Sequence, residues 1–433
     1  MAMKSARTGN VVTALCEAVA LPPMLRVRQS FDESHILADA IPALVRQQLS
    51  RPEILTKLSP GMTVAITCGS RGVANIAPIT KAIVDFVREQ GASPFVFPAM
   101  GSHGGATAEG QRQVLAGYGV TEDYLGCPIR ATMETVTIGH TPHGMPVYMD
   151  KFAHAADAVI LSGRIKAHTA FRAPHESGLM KMAVIGMGKQ KGAETIHESG
   201  FSNMGRLMPE VAKVVLDHAN VIAAVGMIEN AFDQTCAIHA LTKEEIWTRE
   251  PTLLLEAKRR MGGILFDNLD VLVIDRIGKD ISGDGMDPNV TGRFACADTA
   301  SGGISTKRIA VLDLTDETHG NANGIGMADV ITRRLLDKID IDATYPNAIT
   351  STVLDVVKIP LAVHGDKTAI QLALRSANEA DKENPRIVRL CDTMHLRDIE
   401  ISPALLAEAQ KNPNVEILGA AEPWCFDENG NLW

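Results

Sequence analysis

A lysine and two histidines lie in sequence contexts that suit acid–base or nucleophilic chemistry. Lys181 lies in the apolar segment Glu176–Gly192, where desolvation lowers the pKa of an amine and makes it nucleophilic. A snorkelling lysine on an amphipathic helix is the structural alternative. His103 lies among small residues in GSHGG and is either a surface loop histidine or a reactive one. His168, in KAHTAF, follows an apolar run. Imidazoles take and give protons near neutral pH.

Two further histidines follow in the same stretch. His175 lies 7 residues after His168, and His197 lies 22 residues after His175. The chain has no HExxH pair, which places two zinc ligands on one helix face. The spacing therefore does not support a conventional zinc hydrolase.

The segment Gly186–Gly192 is rich in glycine and in cations. Backbone N–H groups around Gly188, together with the ammonium groups of Lys189 and Lys191, could hold a phosphate. The segment is not a Walker A motif, because its spacing differs and no Ser or Thr follows the lysine. We predict that Gly188 and Lys189 bind a cofactor.

Glycine-flanked loops follow several predicted strands. The apolar runs Met62–Thr67, Pro94–Met100 and Ala158–Ser162 read as buried strands, and Ile76–Gln90 has helical spacing. Alternating strands and helices predict a parallel sheet. In such sheets ligands collect at the carboxyl ends of strands, and the loops there carry Arg71, His103 and His168.

The chain is long enough for two domains. The helical segment Leu253–Arg260 ends in Met-Gly-Gly, which predicts a boundary between an N-terminal cofactor-binding domain, 1–262, and a C-terminal α/β domain, 263–433. The C-terminal part contains a predicted strand at Ile309–Leu314 and a predicted helix at Ala328–Lys338. We therefore predict an α/β fold of two domains, with parallel or mixed sheets flanked by helices and an active site in the interdomain cleft.

Composition excludes several classes of function. The 433 residues are 45% hydrophobic with a net charge of −9, and the absence of Lys/Arg runs argues against nucleic-acid binding. The seven scattered cysteines form no CxxC pair, which fits free thiols in a reducing cytoplasm. No apolar run approaches the roughly 20 residues of a membrane helix, and the N-terminal stretch is too short and interrupted for a secretory signal. We expect a cytoplasmic protein.

One dense polar loop lies in the second half, at 280–293. Its three aspartates lack the EF-hand glutamate and spacing of a calcium site. We interpret it as a domain-interface loop in which Arg293 reaches a substrate hydroxyl or carboxylate; a solvated turn is the alternative.

The histidines and the lysine together resemble the nickel-dependent lactate racemase family over roughly residues 65–200. The resemblance rests on GSH at 101–103, a histidine after a Gly-Arg-x-Lys strand end, and a lysine followed 16 residues later by a histidine. It implies a nickel-pincer nucleotide, pyridinium-3,5-bisthiocarboxylic acid mononucleotide nickel, covalently attached at Lys181. It also implies His197 as a nickel ligand, and His103 and His168 as the catalytic acid–base pair.

Three positions bear on how far the resemblance extends. Arg71 resembles the family's arginine, which orients a substrate carboxylate or a cofactor oxygen. Cys68 stands where the family has an acidic residue, so that contact is lost or rebuilt. The stretch between His168 and Lys181 is longer than in the family, which allows His175 to compete for the second acid–base role or to contact substrate.

The resemblance implies a racemase or 2-epimerase that inverts Cα of a 2-hydroxy acid by hydride transfer to and from the nickel-pincer nucleotide. Polar side chains in the loops suggest a substrate larger than lactate, such as an aldonate; they are Arg172, His175, Glu176, Asn289 and Arg293. The expected partners of the protein are then the hydroxy acid and the enzymes of cofactor biosynthesis. The sequence leaves open whether the protein forms a homo-oligomer. The alternatives are a metal-dependent sugar-acid lyase or dehydratase, which would exchange or eliminate groups at Cα, and a non-catalytic nucleotide- or hydroxy-acid-binding protein.

Overall fold

The computed structural model describes residues 9–70 and 72–433. These residues form two compact units: the described residues up to Asp32 together with Gly262–Trp433, and Glu33–Met261. The chain thus changes unit next to the boundary predicted from the sequence. The residues before Glu33 belong with the C-terminal part, whereas the sequence analysis assigned them to the N-terminal domain.

Strands and helices alternate along most of the chain. The strands are β1 (Leu25–Gln29), β2 (Thr63–Cys68), β3 (Ser93–Pro98), β4 (Thr135–His140), β5 (Pro146–Asp150), β6 (Ala158–Arg164), β7 (Val221–Glu229), β8 (Thr235–Leu241), β9 (Leu269–Ile277), β10 (Thr306–Leu314), β11 (Val330–Thr332), β12 (Leu361–Val363), β13 (Ile387–Leu390), β14 (Asp398–Ile401) and β15 (Val415–Ile417). The α-helices are α1 (Gly9–Glu17), α2 (Ile41–Leu49), α3 (Pro52–Leu55), α4 (Ile76–Glu89), α5 (Ala108–Gly117), α6 (Glu122–Leu125), α7 (Lys151–His154), α8 (Leu179–Lys181), α9 (Lys189–His197), α10 (Met204–His218), α11 (Lys243–Arg260), α12 (Pro288–Thr291), α13 (Arg333–Lys338), α14 (Ile341–Ser351), α15 (Asp366–Ser376) and α16 (Leu406–Lys411). A π-helical turn, Met182–Gly186, continues directly from α8.

The Glu33–Met261 unit is built on a five-stranded sheet in the order β3-β2-β6-β7-β8. The first four strands are parallel and β8 pairs antiparallel with β7. Along β2, Ala65 packs into one hydrophobic core while Val64 and Ile66 pack into the other. Because both faces are covered, the strand reads as a continuous apolar run. The predicted βαβ pattern is confirmed.

Two local predictions in this unit are also confirmed. Helix α4 buries Ile79, Ile83, Phe86 and Val87, which recur at helical spacing. Thr107 caps α5, and its hydroxyl accepts the N–H of Gly110 at 3.0 Å.

The second unit is built on an eight-stranded mixed sheet in the order β12-β11-β10-β9-β13-β14-β1-β15. Strands β9 to β13 run parallel, and β14, β1 and β15 pair antiparallel. The helix predicted over Ala328–Lys338 is wrong in its first part. Val330 and Ile331 are buried in strand β11, and the helix begins only at Arg333. The α/β fold class, with mixed sheets flanked by helices, is confirmed.

Two findings concern the chain as a whole. Within 9–70 and 72–433, no helix has both the length and the apolar character needed to cross a membrane. The seven cysteines are present as free thiols.

Candidate active site

The segment that carries the candidate lysine lies across the carboxyl ends of three parallel strands. A Cβ built on Gly69, after β2, or on Gly163, in β6, would lie 3.3 Å from the Cε atom of Met182. A Cβ on Gly186 would lie 2.8 Å from the carbonyl oxygen of Ala99, after β3. Glycine at these positions therefore allows a close approach of the π-helical turn to the strand ends. Such turns recur at functional sites, and this edge is where open α/β sheets bind ligands.

Lys181 and His168 are in direct contact. The Nζ atom of Lys181 lies 2.9 Å from Nε2 of His168. His168 is largely buried, and its Nδ1 accepts the backbone N–H of Ala170 at 3.0 Å. Because Nδ1 is the acceptor, the hydrogen of the neutral ring lies on Nε2. The contact places the Lys181 nitrogen and the His168 Nε2 atom within hydrogen-bonding distance of each other.

Aromatic rings join His168 to His197. The ring of Phe201 lies 5.9 Å from that of His168 and 5.5 Å from that of His197, centroid to centroid. Phe171 covers His168 at 4.4 Å. The structure therefore brings Lys181, His168 and His197 into one neighbourhood around Phe201. The sequence analysis did not single out Phe201, because the chain leaves the helix after His197 and turns at Gly200, so no helical spacing marks this residue.

A buried carboxylate holds the His168 loop. Glu176 Oε2 accepts the backbone N–H of His168 at 2.7 Å, and its Oε1 accepts from Nζ of Lys258 in α11 at 2.6 Å. The side chain of Glu176 is fully buried. A charge in this position is stable only when it is paired and hydrogen-bonded, so Lys258 helps to keep the loop in place.

His103 lies in the loop after β3 and is half-buried. Its Nδ1 lies 2.8 Å from the carbonyl oxygen of Met100. A carbonyl only accepts, so Nδ1 carries the ring hydrogen and Nε2 holds the lone pair. Gln111 donates to the carbonyl oxygens of Gly101 and His103, and a Cβ on Gly101 would lie 3.4 Å from the Ile185 side chain. The loop is thus held against the segment that follows Lys181.

The loop after β2 is held by side chains from neighbouring elements. Tyr118 donates to the carbonyl oxygen of Ser70 at 2.9 Å, and Glu229 accepts the N–H of Ala74 at 2.7 Å. Arg71 lies outside the described residues. Burial raises the pKa of the Cys68 thiol to about 12, so Cys68 stays neutral and does not replace the family's negative charge.

His175 belongs to a different contact from the one predicted. It is buried, its Nε2 lies 3.1 Å from the carbonyl oxygen of Ile246 in α11, and its ring meets Trp247 edge-on. Burial lowers the pKa of its imidazole. Between the two histidines that the sequence left open, the contact with Lys181 favours His168, and His175 packs against α11.

Gly188 and Lys189 also have structural roles that the sequence analysis did not anticipate. A Cβ on Gly188 would lie 2.5 Å from the carbonyl oxygen of Val184, so close packing explains this glycine. Lys189 is 0% exposed. Its Nζ donates to the carbonyl oxygen of Pro98 at 2.7 Å and lies 3.7 Å from Asp150 Oδ2, and burial lowers its pKa to about 8. We therefore revise the predicted phosphate contact: Lys189 tethers the end of β3.

Arg293 lies in the other unit and is engaged there. Its guanidinium donates to Asp329 at 3.1 Å and to the carbonyl oxygen of Thr306 at 3.2 Å. The loop aspartates are likewise hydrogen-bonded locally: Asp287 caps α12, and Asp280 accepts from Thr315. These contacts show that Arg293 packs within its own unit, and the substrate contact stays a prediction.

A metal site built from protein ligands alone is not found in the described part of the chain. No group of three or more His, Cys, Asp or Glu side chains there is arranged to hold an ion. The resemblance assigns a single protein ligand, His197, with the remaining donors on the cofactor. Such a site requires no cluster of this kind.

Comparisons with known proteins bear on the family. The sequence profile described as "Lactate racemase N-terminal domain" matches residues 26–206. No curated protein is similar enough to count as a relative. A crystal structure of a Thermotoga maritima protein from a structural genomics consortium superposes with a TM-score of 0.51 at 11% identity, over 76% of this chain and 84% of that chain. The lactate racemase apoprotein from Thermoanaerobacterium thermosaccharolyticum superposes with a TM-score of 0.49 at 14% identity, over 90% of this chain and 97% of that chain.

These comparisons differ in what they establish. The likeness to the Thermotoga maritima protein shows a shared fold. The profile match covers the elements that carry His103, His168, Lys181 and His197. The family resemblance is therefore established for residues 26–206, which match the lactate racemase N-terminal domain.

Proposed function

We propose that the protein is a racemase or 2-epimerase that inverts the Cα configuration of a 2-hydroxy acid, with Lys181 as the attachment point of a nickel-pincer nucleotide. The observation that carries the proposal is the 2.9 Å contact between Lys181 Nζ and His168 Nε2. An amine paired with an imidazole suits nucleophilic attachment and acid–base chemistry. The lactate racemase N-terminal domain over residues 26–206 supports the same class of reaction.

The residues present fit the cofactor that the family implies. When bound, the nickel-pincer nucleotide supplies a hydride acceptor, which avoids a carbanion beside the substrate carboxylate. Lys181 offers an amine for attachment, and His197 offers an imidazole nitrogen, which suits nickel together with soft sulfur donors. Phe201, between the rings of His168 and His197, offers an aromatic face to a planar ring.

The two histidines are in opposite tautomers. His103 donates through Nδ1 to Met100, so its Nε2 lone pair can take the substrate hydroxyl proton. His168 accepts at Nδ1, so its Nε2–H can return a proton to the keto oxygen. With a cofactor attached, the Lys181 nitrogen would no longer be a basic acceptor, which would leave the His168 Nε2–H for the substrate. The pair supplies one base and one acid.

The proposal names the class of substrate only. The sequence analysis inferred a sugar acid partly from Arg172, His175, Glu176 and Arg293. Arg172 contacts Glu176 and the carbonyl oxygen of His168, and His175 contacts the carbonyl oxygen of Ile246. Glu176 pairs with Lys258, and Arg293 pairs with Asp329. The proposed partners are therefore a small 2-hydroxy acid and the enzymes that make the cofactor.

The test uses protein produced together with the cofactor-biosynthesis enzymes and a chiral screen of 2-hydroxy acids, including lactate and aldonates. We expect about one nickel per chain, a cofactor mass on the peptide containing Lys181, and inversion that retains deuterium placed at C2 of the substrate. His168→Ala should abolish inversion, because it removes the proton donor, whereas the matched variant His175→Ala should retain it.

Two results would contradict the proposal. Loaded protein that changes the configuration of none of the acids would exclude the reaction. Loss of C2 deuterium to solvent during inversion would exclude hydride return and favour proton abstraction, as in the alternative lyase or dehydratase.

A further inference from the structure

A buried carboxyl group lies beside the helix that carries Lys181. Glu250, in the middle of α11, is 1% exposed. Its Oε2 accepts the backbone N–H of Met180 at 3.1 Å, and its Oε1 lies 3.5 Å from the same nitrogen. A Cβ built on Gly178 would lie 1.9 Å from Oε1, so only glycine at this position leaves room for the carboxyl group.

Glu250 supplies what the sequence of α8 lacks. The first N–H groups of a helix have no partner within it and are normally capped by a side chain at the residue before. The residue before α8 is Gly178, which has no side chain to offer. The carboxyl group of Glu250 reaches this end from a helix about 70 residues further along the chain.

We propose that Glu250 is a positioning residue for Lys181: by holding the first turn of α8, it keeps the lysine amine on His168. Lys181 follows directly after Met180, whose N–H Glu250 accepts, so a shift of this turn moves Nζ away from the 2.9 Å contact. Glu250 touches neither substrate nor cofactor in this proposal. The inference deepens the proposed function and rests on it, because the chemical role of the Lys181–His168 pair comes from that proposal.

Three variants test the inference against one control. Glu250→Ala removes the acceptor, Glu250→Gln keeps an acceptor oxygen of the same shape, and Gly178→Ala inserts a methyl group where the carboxyl lies. Glu244→Gln changes an exposed carboxyl in the same helix. Each protein is prepared without cofactor and pulse-labelled with acetic anhydride over a range of pH, with Lys213 as the internal reference, and Lys181 and Lys213 are quantified by mass spectrometry. Hydrogen exchange of the peptide containing Met180 is followed in parallel.

The expected results separate positioning from general packing. In the wild-type protein and in Glu244→Gln, the pH at which Lys181 becomes labelled should be separated from that of Lys213, because Lys181 contacts an imidazole. In Glu250→Ala and Gly178→Ala this separation should disappear, and the Met180 amide should exchange about ten-fold faster, while peptides of β7 exchange as in the wild type. Glu250→Gln should restore both measurements at least in part.

Wild-type behaviour of Lys181 in Glu250→Ala and Gly178→Ala would overturn the inference. The inference would also be overturned if Glu250→Gln lost protection from hydrogen exchange throughout the unit with no separate effect on Lys181. Glu250 would then stabilise the core alone. Both measurements use cofactor-free protein. They therefore stay interpretable if the loaded protein inverts no hydroxy acid, a result that refutes the proposed function but not the contact.

Discussion

Replacing Glu250 by glutamine should remove a pH dependence from the stability of the Glu33–Met261 unit. Burial raises the pKa of this carboxyl from 4.5 to about 7, against the lowering effect of the Met180 and Leu179 N–H groups. The folded protein therefore retains a proton that the unfolded chain releases. The resulting stabilisation is fully present below pH 4.5 and is lost as the pH rises through about 7.

The magnitude follows from the size of the shift. Each pKa unit corresponds to about 1.4 kcal/mol, so the wild-type protein should lose about 3 kcal/mol of unfolding free energy, relative to Glu250→Gln, over this pH range. The comparison between the two proteins cancels the titration of all other carboxyl groups. Glutamine is neutral throughout and has a similar shape.

Urea unfolding at pH 5 and pH 8 measures the difference. Both proteins carry Trp424→Phe and Trp433→Phe, so that Trp247, the remaining tryptophan of three, reports on the unit that contains Glu250. Glu244→Gln, exposed on the same helix, should leave the difference between pH 5 and pH 8 nearly unchanged, because, despite desolvation, hydrogen bonds lower the pKa of Glu244 and keep it largely ionised at both values. A constant free-energy difference between wild type and Glu250→Gln at the two pH values would refute the burial argument.

Two further predictions concern lysines that pair with buried carboxylates. Lys189→Met leaves a buried carboxylate without its cation and should lower the free energy of unfolding by about 3 kcal/mol. Lys191→Met changes an exposed lysine on the same helix that contacts the Tyr148 ring, and it should change the free energy by less than about 1 kcal/mol; an equal effect of the two would contradict the burial of Lys189. Lys258→Met removes the cation that donates to Glu176 and should destabilise the unit by about 2 kcal/mol. Hydrogen exchange at the His168 amide, which Glu176 accepts, should accelerate in Lys258→Met, and an unchanged rate would show that Glu176 holds the loop without this lysine.

Local patterns in the sequence were sufficient for most of the first sheet. Strand β2 is apolar along its length because both of its faces are buried. Ile79 and Ile83 recur at helical spacing because one face of α4 is buried, and both patterns are visible in the sequence. At Val330 and Ile331 the same apolar residues fit a helix or a strand equally well. Only pairing with β10 and β12 decides for the strand, and this pairing is not encoded locally.

The candidate site was predictable where a residue type implied chemistry and failed where burial decided the role. Lys181, His168 and His197 were singled out through the resemblance to the lactate racemase family, and their roles stay predictions. Lys189 resembles a phosphate-binding lysine until Pro98 and Asp150, which are distant in sequence, enclose its ammonium group. A side chain that looks exposed in a glycine-rich segment thus becomes internal through long-range contacts.

Helix α11 shows why the supporting residues escaped the sequence analysis. Its sequence, KEEIWTREPTLLLEAKRR, is strongly charged and suggests a solvated surface helix. Yet Glu250 accepts the N–H beside Lys181, and Lys258 pairs with Glu176, which accepts the N–H of His168. One helix therefore supports both members of the lysine–histidine contact through two buried carboxyl groups, and the contact depends on residues that carry no motif. Variation in α11 should accordingly change the reactivity of the pair while every residue that resembles the family stays in place.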